Sequence, residues 1–215
     1  MSNLEVLTYG NPMAATQLVQ MVDDHDMGFL ENEVALIREL SGGQDFGLQA
    51  VRVENWNRDL SPWAAPAVFG NEDFCGGAQD TLAFLLQHAV SAEAEPGVKT
   101  FLGGYSLAGL FALWAGYQTD RFDGIAAASP SIWFPGFVDY MRGNEMKPGK
   151  VYLSLGDREE RTRNPVMAQV GNAIRQGYDV LQASGIESVL EWNKGNHFKD
   201  ADLRTAKAFA WLMKQ

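Results

Sequence analysis

Cysteine is nearly absent from this sequence. Cys75 is the only one among 215 residues, which excludes an intrachain disulfide and any zinc site built from several thiolates, and points to a reducing compartment. Basic residues are also in short supply: 17 Lys and Arg stand against 27 Asp and Glu, for a formal net charge of −10. That balance disfavours a nucleic-acid phosphate backbone or an anionic membrane as partner and favours a neutral or locally recognised small molecule. No apolar run approaches the roughly 20 residues that cross a bilayer. The opening Met1-Ser-Asn-Leu-Glu5 has neither a basic nor an apolar segment of a secretory signal, so a cytoplasmic location is expected. What is present, 46% hydrophobic and 11% aromatic residues, fills one sizeable core and no more, so a single domain over 1–215 is expected, with no repeat or low-complexity linker.

Short β-rich runs alternate with stretches of helical period along the whole chain, the pattern of a mostly parallel sheet with helices on both faces. Leu4–Tyr9 and Gln17–Val22, separated by the turn-rich Gly10-Asn-Pro-Met13, read as an opening hairpin. Asp26 is placed to cap a helix carrying Met27, Leu30, Val34 and Ile37 on one face. Strands follow at Leu48–Val53, Thr100–Tyr105, Gly124–Ala128, Val151–Leu155 and Ser188–Trp192. Between them lie helices with core residues Leu82, Leu85, Leu86 and Ala89, then Leu107, Leu110, Phe111 and Trp114. A further helix opens at Asn164-Pro165 and ends by Gly185, and a last one is capped by Asp200. The long stretch Glu54–Gly77 reads as an irregular but ordered loop, because it carries Trp56, Trp63, Phe69 and Phe74.

One segment carries chemistry. Gly103-Gly-Tyr-Ser-Leu-Ala-Gly109 joins a buried strand to a helix, the context a nucleophile elbow needs. There the serine occupies a strained turn, so small residues such as Gly104 and Ala108 must flank it, and Ala108 replaces the last Gly of G-x-S-x-G. Ser106 is then the candidate nucleophile, with the amide of Leu107 aimed at the developing oxyanion. A base must sit at the same sheet edge after the last strand, where His197 lies in Lys194-Gly-Asn-His197. The acid belongs after the strand between them, where Asp157, Glu159 and Glu160 compete. Glu159 is favoured: Asp157 follows the strand too closely to reach outward, and Glu160 is free to pair with nearby arginines. All three could instead be solvated partners of Arg158, Arg161 and Arg163. A second oxyanion donor should come from Val22–Asp26, where His25 could line the site or merely order the loop; which amide serves stays open. His88, at a helix end, complements the helix dipole.

At these residues the chain resembles the esterases of the α/β-hydrolase class related to esterase D and the enterochelin esterases. The resemblance rests on Leu60–Trp63, Phe69–Leu82, Gly104–Gly109, Ser129–Trp133, Leu155–Met167 and Gly195–His197. It implies a three-layer α/β-hydrolase sandwich, catalysis by Ser106 and His197, and a pocket bordered by Tyr105, Ser131, Trp133 and Trp56. It implies a small-molecule ester as substrate and no cofactor or metal, and it leaves a homodimer open. The acid is the weakest transfer, because some relatives work with little help from it. About twenty residues separate Ser129 from Lys150, too few for a large helical lid.

Overall fold

The computed structural model describes residues 4–90 and 97–214. Its central element is a seven-stranded sheet built from β1 (Glu5–Gly10), β2 (Thr16–Val22), β3 (Gly47–Arg52), β6 (Lys99–Tyr105), β7 (Gly124–Ala128), β8 (Lys150–Gly156) and β9 (Glu187–Asn193). These stand in the order β1-β3-β2-β6-β7-β8-β9, parallel throughout except for β1. Successive residues point to opposite faces of a strand, so each inner strand needs apolar residues at every position. Leu18, Phe101, Ala126 and Tyr152 face one side with α2 (Leu30–Leu40) and α8 (Ala201–Met213). Val19, Leu102, Ile125 and Val151 face the other with α4 (Ala78–His88), α5 (Leu107–Gln118) and α7 (Val170–Ala183). The helix α5 is buried from Leu107 to Tyr117, and its first turn lies directly under the sheet's carboxyl edge.

The opening hairpin does not form. The strand β1 pairs antiparallel with β3, Tyr9 opposite Leu48, while β2 lies between β3 and β6. The physical reason is burial: β2 is fully buried from Leu18 to Val22 and belongs inside the sheet, whereas β1 is half exposed along its length and suits an edge. Three other expectations shift. Asp23, not Asp26, caps the first helix; its carboxylate accepts from the amides of His25 and Asp26 and heads a single turn, α1 (Asp24–Met27), before α2 begins at Leu30. Asn164 does cap backbone, accepting from Val166 and Met167, but the chain makes a 3-10 turn at Met167–Gln169 before α7 starts. Asp200 sits at φ 54° and gives α8 no side-chain cap.

The stretch after β3 has local structure of its own. Asn55 caps α3 (Trp56–Leu60), and β4 (Ala64–Ala65) pairs with β5 (Phe74–Cys75) in a two-stranded ribbon. Phe69 packs edge to face on Phe74 and Trp133, which lie tilted on each other, and the three rings hold this excursion over the sheet's carboxyl end. Between β7 and β8 only α6 (Phe137–Gly143) intervenes. No helix among the described residues is long and apolar enough to cross a membrane.

Candidate active site

Ser106 sits at the junction of β6 and α5 with φ 58° and ψ −120°, a conformation that L-residues adopt only under constraint, at about 1–3 kcal/mol. The constraint is legible in its neighbours. A Cβ on Gly104 would lie 2.6 Å from the Ala108 Cβ, so the strand and helix can meet this tightly only with hydrogen at position 104. The turn lifts the hydroxyl off the sheet edge and leaves the amides of Leu107 and Ala108, at the positive end of α5, without acceptors among the described residues.

Two loops build a relay onto that hydroxyl. His197, in the loop between β9 and α8, places Nε2 3.0 Å from Ser106 Oγ. Its Nδ1 is 2.7 Å from Glu159 Oε2, in the loop after β8. The structure thus brings together Ser106, His197 and Glu159, and it places the two competing carboxylates elsewhere. Asp157 accepts from the amide of Gly195 at 2.8 Å and so pins the histidine loop. Glu160 pairs at 3.6 Å with Arg175 of α7, which corrects the expectation that it meets the arginines nearest in sequence.

Glu159 has four hydrogen-bond partners in the site. Its side chain is only 4% exposed, and burial alone would raise its pKa; hydrogen bonds from His197, the Gly156 amide and Ser129, with the imidazole's charge, outweigh burial and hold it below the ordinary carboxylate range. Its Oε1 accepts from Gly156 N at 2.7 Å, Ser129 Oγ at 2.8 Å and Arg204 Nη1 at 2.8 Å. Gly156 has no alternative, since a Cβ there would approach Gly195 O to 2.5 Å and Glu159 Oε1 to 2.9 Å. Ser129 and Arg204 were not singled out from the sequence. Ser129 lies in Ser129-Pro-Ser131 at φ 42°, and Arg204 shares the buried side of α8 with Ala208 and Leu212. A cation on an apolar helix face is the one signal that could have found the latter.

A cavity of about 300 Å³ opens over Ser106, walled by Trp56, Phe69, Trp133, Met167, Val170 and Phe198, with Ser131 on its floor. The Ser131 hydroxyl lies 3.4 Å from that of Ser106. Tyr105 does not line it: its ring packs behind His197 and its hydroxyl donates to the His197 carbonyl at 2.7 Å. His25 also falls outside the cavity lining. Its amide is consumed by the Asp23 cap, so its backbone has no donor to offer an oxyanion, and its exposed ring packs on Phe29. In the same loop, the amide of Asp24 has no acceptor among the described residues. His88 lies at the end of α4 against Phe84, away from this edge. Among the described residues no cluster of His, Cys, Asp and Glu could hold a metal ion.

No family model matches the sequence, and no curated protein matches it. Solved structures do. An IroE-like serine hydrolase from Shewanella oneidensis superimposes with a TM-score of 0.78 at 17% identity, over 98% of this chain and 76% of that one. The siderophore hydrolase EstB from Aspergillus nidulans gives 0.71 at 18% identity, over 98% and 89% of the two chains. The enterobactin hydrolase IroE, known in complex with DFP, gives 0.66 at 15% identity, over 100% and 96%. At such identities the likeness is one of architecture: this chain has the α/β-hydrolase fold, in the form these esterases share.

Proposed function

We propose that this protein hydrolyses carboxylic esters through an acyl-enzyme on Ser106, with His197 as general base and Glu159 as the carboxylate that orients it. The observation that carries this reading is the unbroken chain from Ser106 Oγ to His197 Nε2 at 3.0 Å and from Nδ1 to Glu159 Oε2 at 2.7 Å, under an apolar cavity. His197 takes the hydroxyl proton as Oγ attacks the ester carbon, and Glu159 stabilises the imidazolium that results. The developing oxyanion is received by the Leu107 amide, supported by the α5 dipole. Collapse passes the proton from His197 to the leaving alkoxide. Water, deprotonated in turn by His197, attacks the acyl carbon, and the second collapse releases the acid and restores Ser106.

The aromatic wall favours an ester with an apolar or aromatic portion, and two of the structural neighbours are named as a siderophore hydrolase and an enterobactin hydrolase. The net charge of −10 argues against a strongly anionic iron complex as the form bound. The test is a panel of p-nitrophenyl and aryl esters, with a siderophore-type serine ester included, on the wild type and Ser106→Ala. DFP should modify wild type at Ser106 and leave the variant untouched. Ester cleavage at the wild-type rate by Ser106→Ala refutes the proposal, and a competing alcohol acceptor in the same assay separates hydrolysis from acyl transfer.

A further inference from the structure

We infer that Arg204 is a positioning residue that keeps His197 available as a base near neutral pH, by balancing the Glu159 charge from behind while anchoring the histidine loop. This rests on the reading of Ser106, His197 and Glu159 given above. A buried carboxylate 2.7 Å from an imidazole favours the imidazolium. An imidazolium cannot accept the serine proton. Arg204 answers on the opposite oxygen: Nη1 donates to Glu159 Oε1 at 2.8 Å, from a side chain only 1% exposed. A guanidinium does not lose its proton in a protein, so this countercharge is permanent.

The same side chain fixes the loop. Its Nη2 donates to Asn196 O at 3.0 Å and toward Lys194 O at 3.4 Å, on the residues that precede His197. Its Nη1 also donates to Tyr105 OH at 3.0 Å, and that hydroxyl in turn donates to the His197 carbonyl. Stability alone is a weak reason to keep such a group, since buried ion pairs are often replaceable by apolar side chains without loss. The fork is moreover aimed at the acid and the loop, leaving its Nε without a partner among the described residues.

The other groups around His197 do not supply this balance. Tyr105, behind the ring, is neutral, with its hydroxyl pushed up to about 12, chiefly by burial. Ser106 and Ser129 are neutral. Asp157 is spent on the Gly195 amide, and Lys194, Lys199 and Asp200 lie at the loop surface, where the last two pair at 3.9 Å. Asp24, after β2, pairs with Arg52.

The test follows the three histidines by NMR of their ring protons across pH, together with the acidic limb of kcat/KM, in wild type, Arg204→Met and Arg204→Lys. Removing the cation raises the proton affinity of the Glu159–His197 pair whichever partner holds the proton, so the Met variant should titrate higher by about one pH unit. Its kcat/KM should drop about tenfold more at pH 6 than at pH 8.5. Arg204→Lys keeps the charge without the fork, so it should retain the wild-type limb while losing plateau kcat. If Arg204→Met does not fold, Arg204→Gln, which keeps a donor for the loop carbonyls, provides the neutral comparison. A folded neutral variant whose His197 titration matches wild type, and whose rate falls equally at every pH, overturns the inference. Failure of DFP to label wild type would instead overturn the hydrolase reading, and the NMR titration would still decide the role of Arg204.

Discussion

Glu159→Gln separates what the acid does for the fold from what it does for chemistry. The change preserves shape and removes one charge, leaving Arg204 buried with no counter-ion and the His197 ring without a carboxylate. Breaking a buried pair from one side costs about 3–5 kcal/mol, a large share of the roughly 5–15 kcal/mol that stabilises a domain. The urea midpoint should fall accordingly. Glu159 has a lowered pKa in the fold, so its contribution is present in full above the ordinary value of 4.5 and is lost as pH falls through the folded value. The gap between wild type and variant should therefore be widest near neutrality and close in acid. Ester turnover should drop by roughly 10³–10⁴, because the imidazolium formed during attack is no longer stabilised or held in its tautomer. The double variant Glu159→Gln/Arg204→Met removes both charges; it should recover much of the stability and none of the activity. Wild-type turnover by Glu159→Gln, or a double variant less stable than the single one, refutes this assignment of roles.

Gly156→Ala should lose about 2 kcal/mol or more and most ester turnover, because its Cβ would press on Gly195 O, Glu159 Oε1 and Arg204 Nη1 together; urea unfolding and a p-nitrophenyl acetate assay check both. Phe198→Ala should leave stability within about 0.5 kcal/mol, the side chain being 90% exposed, yet raise KM for aryl esters several-fold more than for acetate esters. Glu33→Gln acts on the far side of the sheet from α5, where burial first, and the charge of Asp26 second, push the Glu33 carboxyl well above its ordinary value. A raised carboxyl costs the fold stability as pH climbs above the unfolded value of 4.5. The variant should match wild type in acid and exceed it by about 1 kcal/mol or more at pH 7, as read by thermal melts at the two pH values.

The elbow was legible because its chemistry demands local sequence: a strained serine forces Gly104 and Ala108 into small residues within a few positions of it. The inner strands were legible for a similar reason, since two-sided burial forces the apolar runs at Leu18–Val22, broken only by Gln20, and at Gly124–Ala128. Pairing was not. Whether β1 returns onto β2 or crosses to β3 depends on which strand the helices bury, and that is decided by contacts up to 170 residues apart, such as Asn32 with Asp202 joining α2 to α8. Tyr105 and Arg204 were opaque from the other direction. An aromatic beside the nucleophile reads as a pocket wall and a helical arginine as surface, and only the three-dimensional packing turns one behind the histidine and the other inward.

The geometry of the sheet explains why the histidine loop is so heavily tied. Ser106 rides on β6 and Glu159 on β8, with β7 between them. Two strand spacings of about 4.8 Å put roughly 10 Å between those positions, too far for a direct hydrogen bond and close to what one imidazole with a bond at each end can span. His197, however, starts from β9, one strand beyond Glu159, so its loop must double back over β8 to lie between them. Gly195 makes that reversal at φ 116°, Asp157 holds the Gly195 amide, the Arg158 amide holds its carbonyl, and Tyr105 reaches from β6 to the His197 carbonyl. The ties come from the ends of β6 and β8, on either side of β7, so the imidazole is located by the parallel register of the sheet rather than by its own loop. Loosening any one tie should therefore lower turnover before it lowers stability.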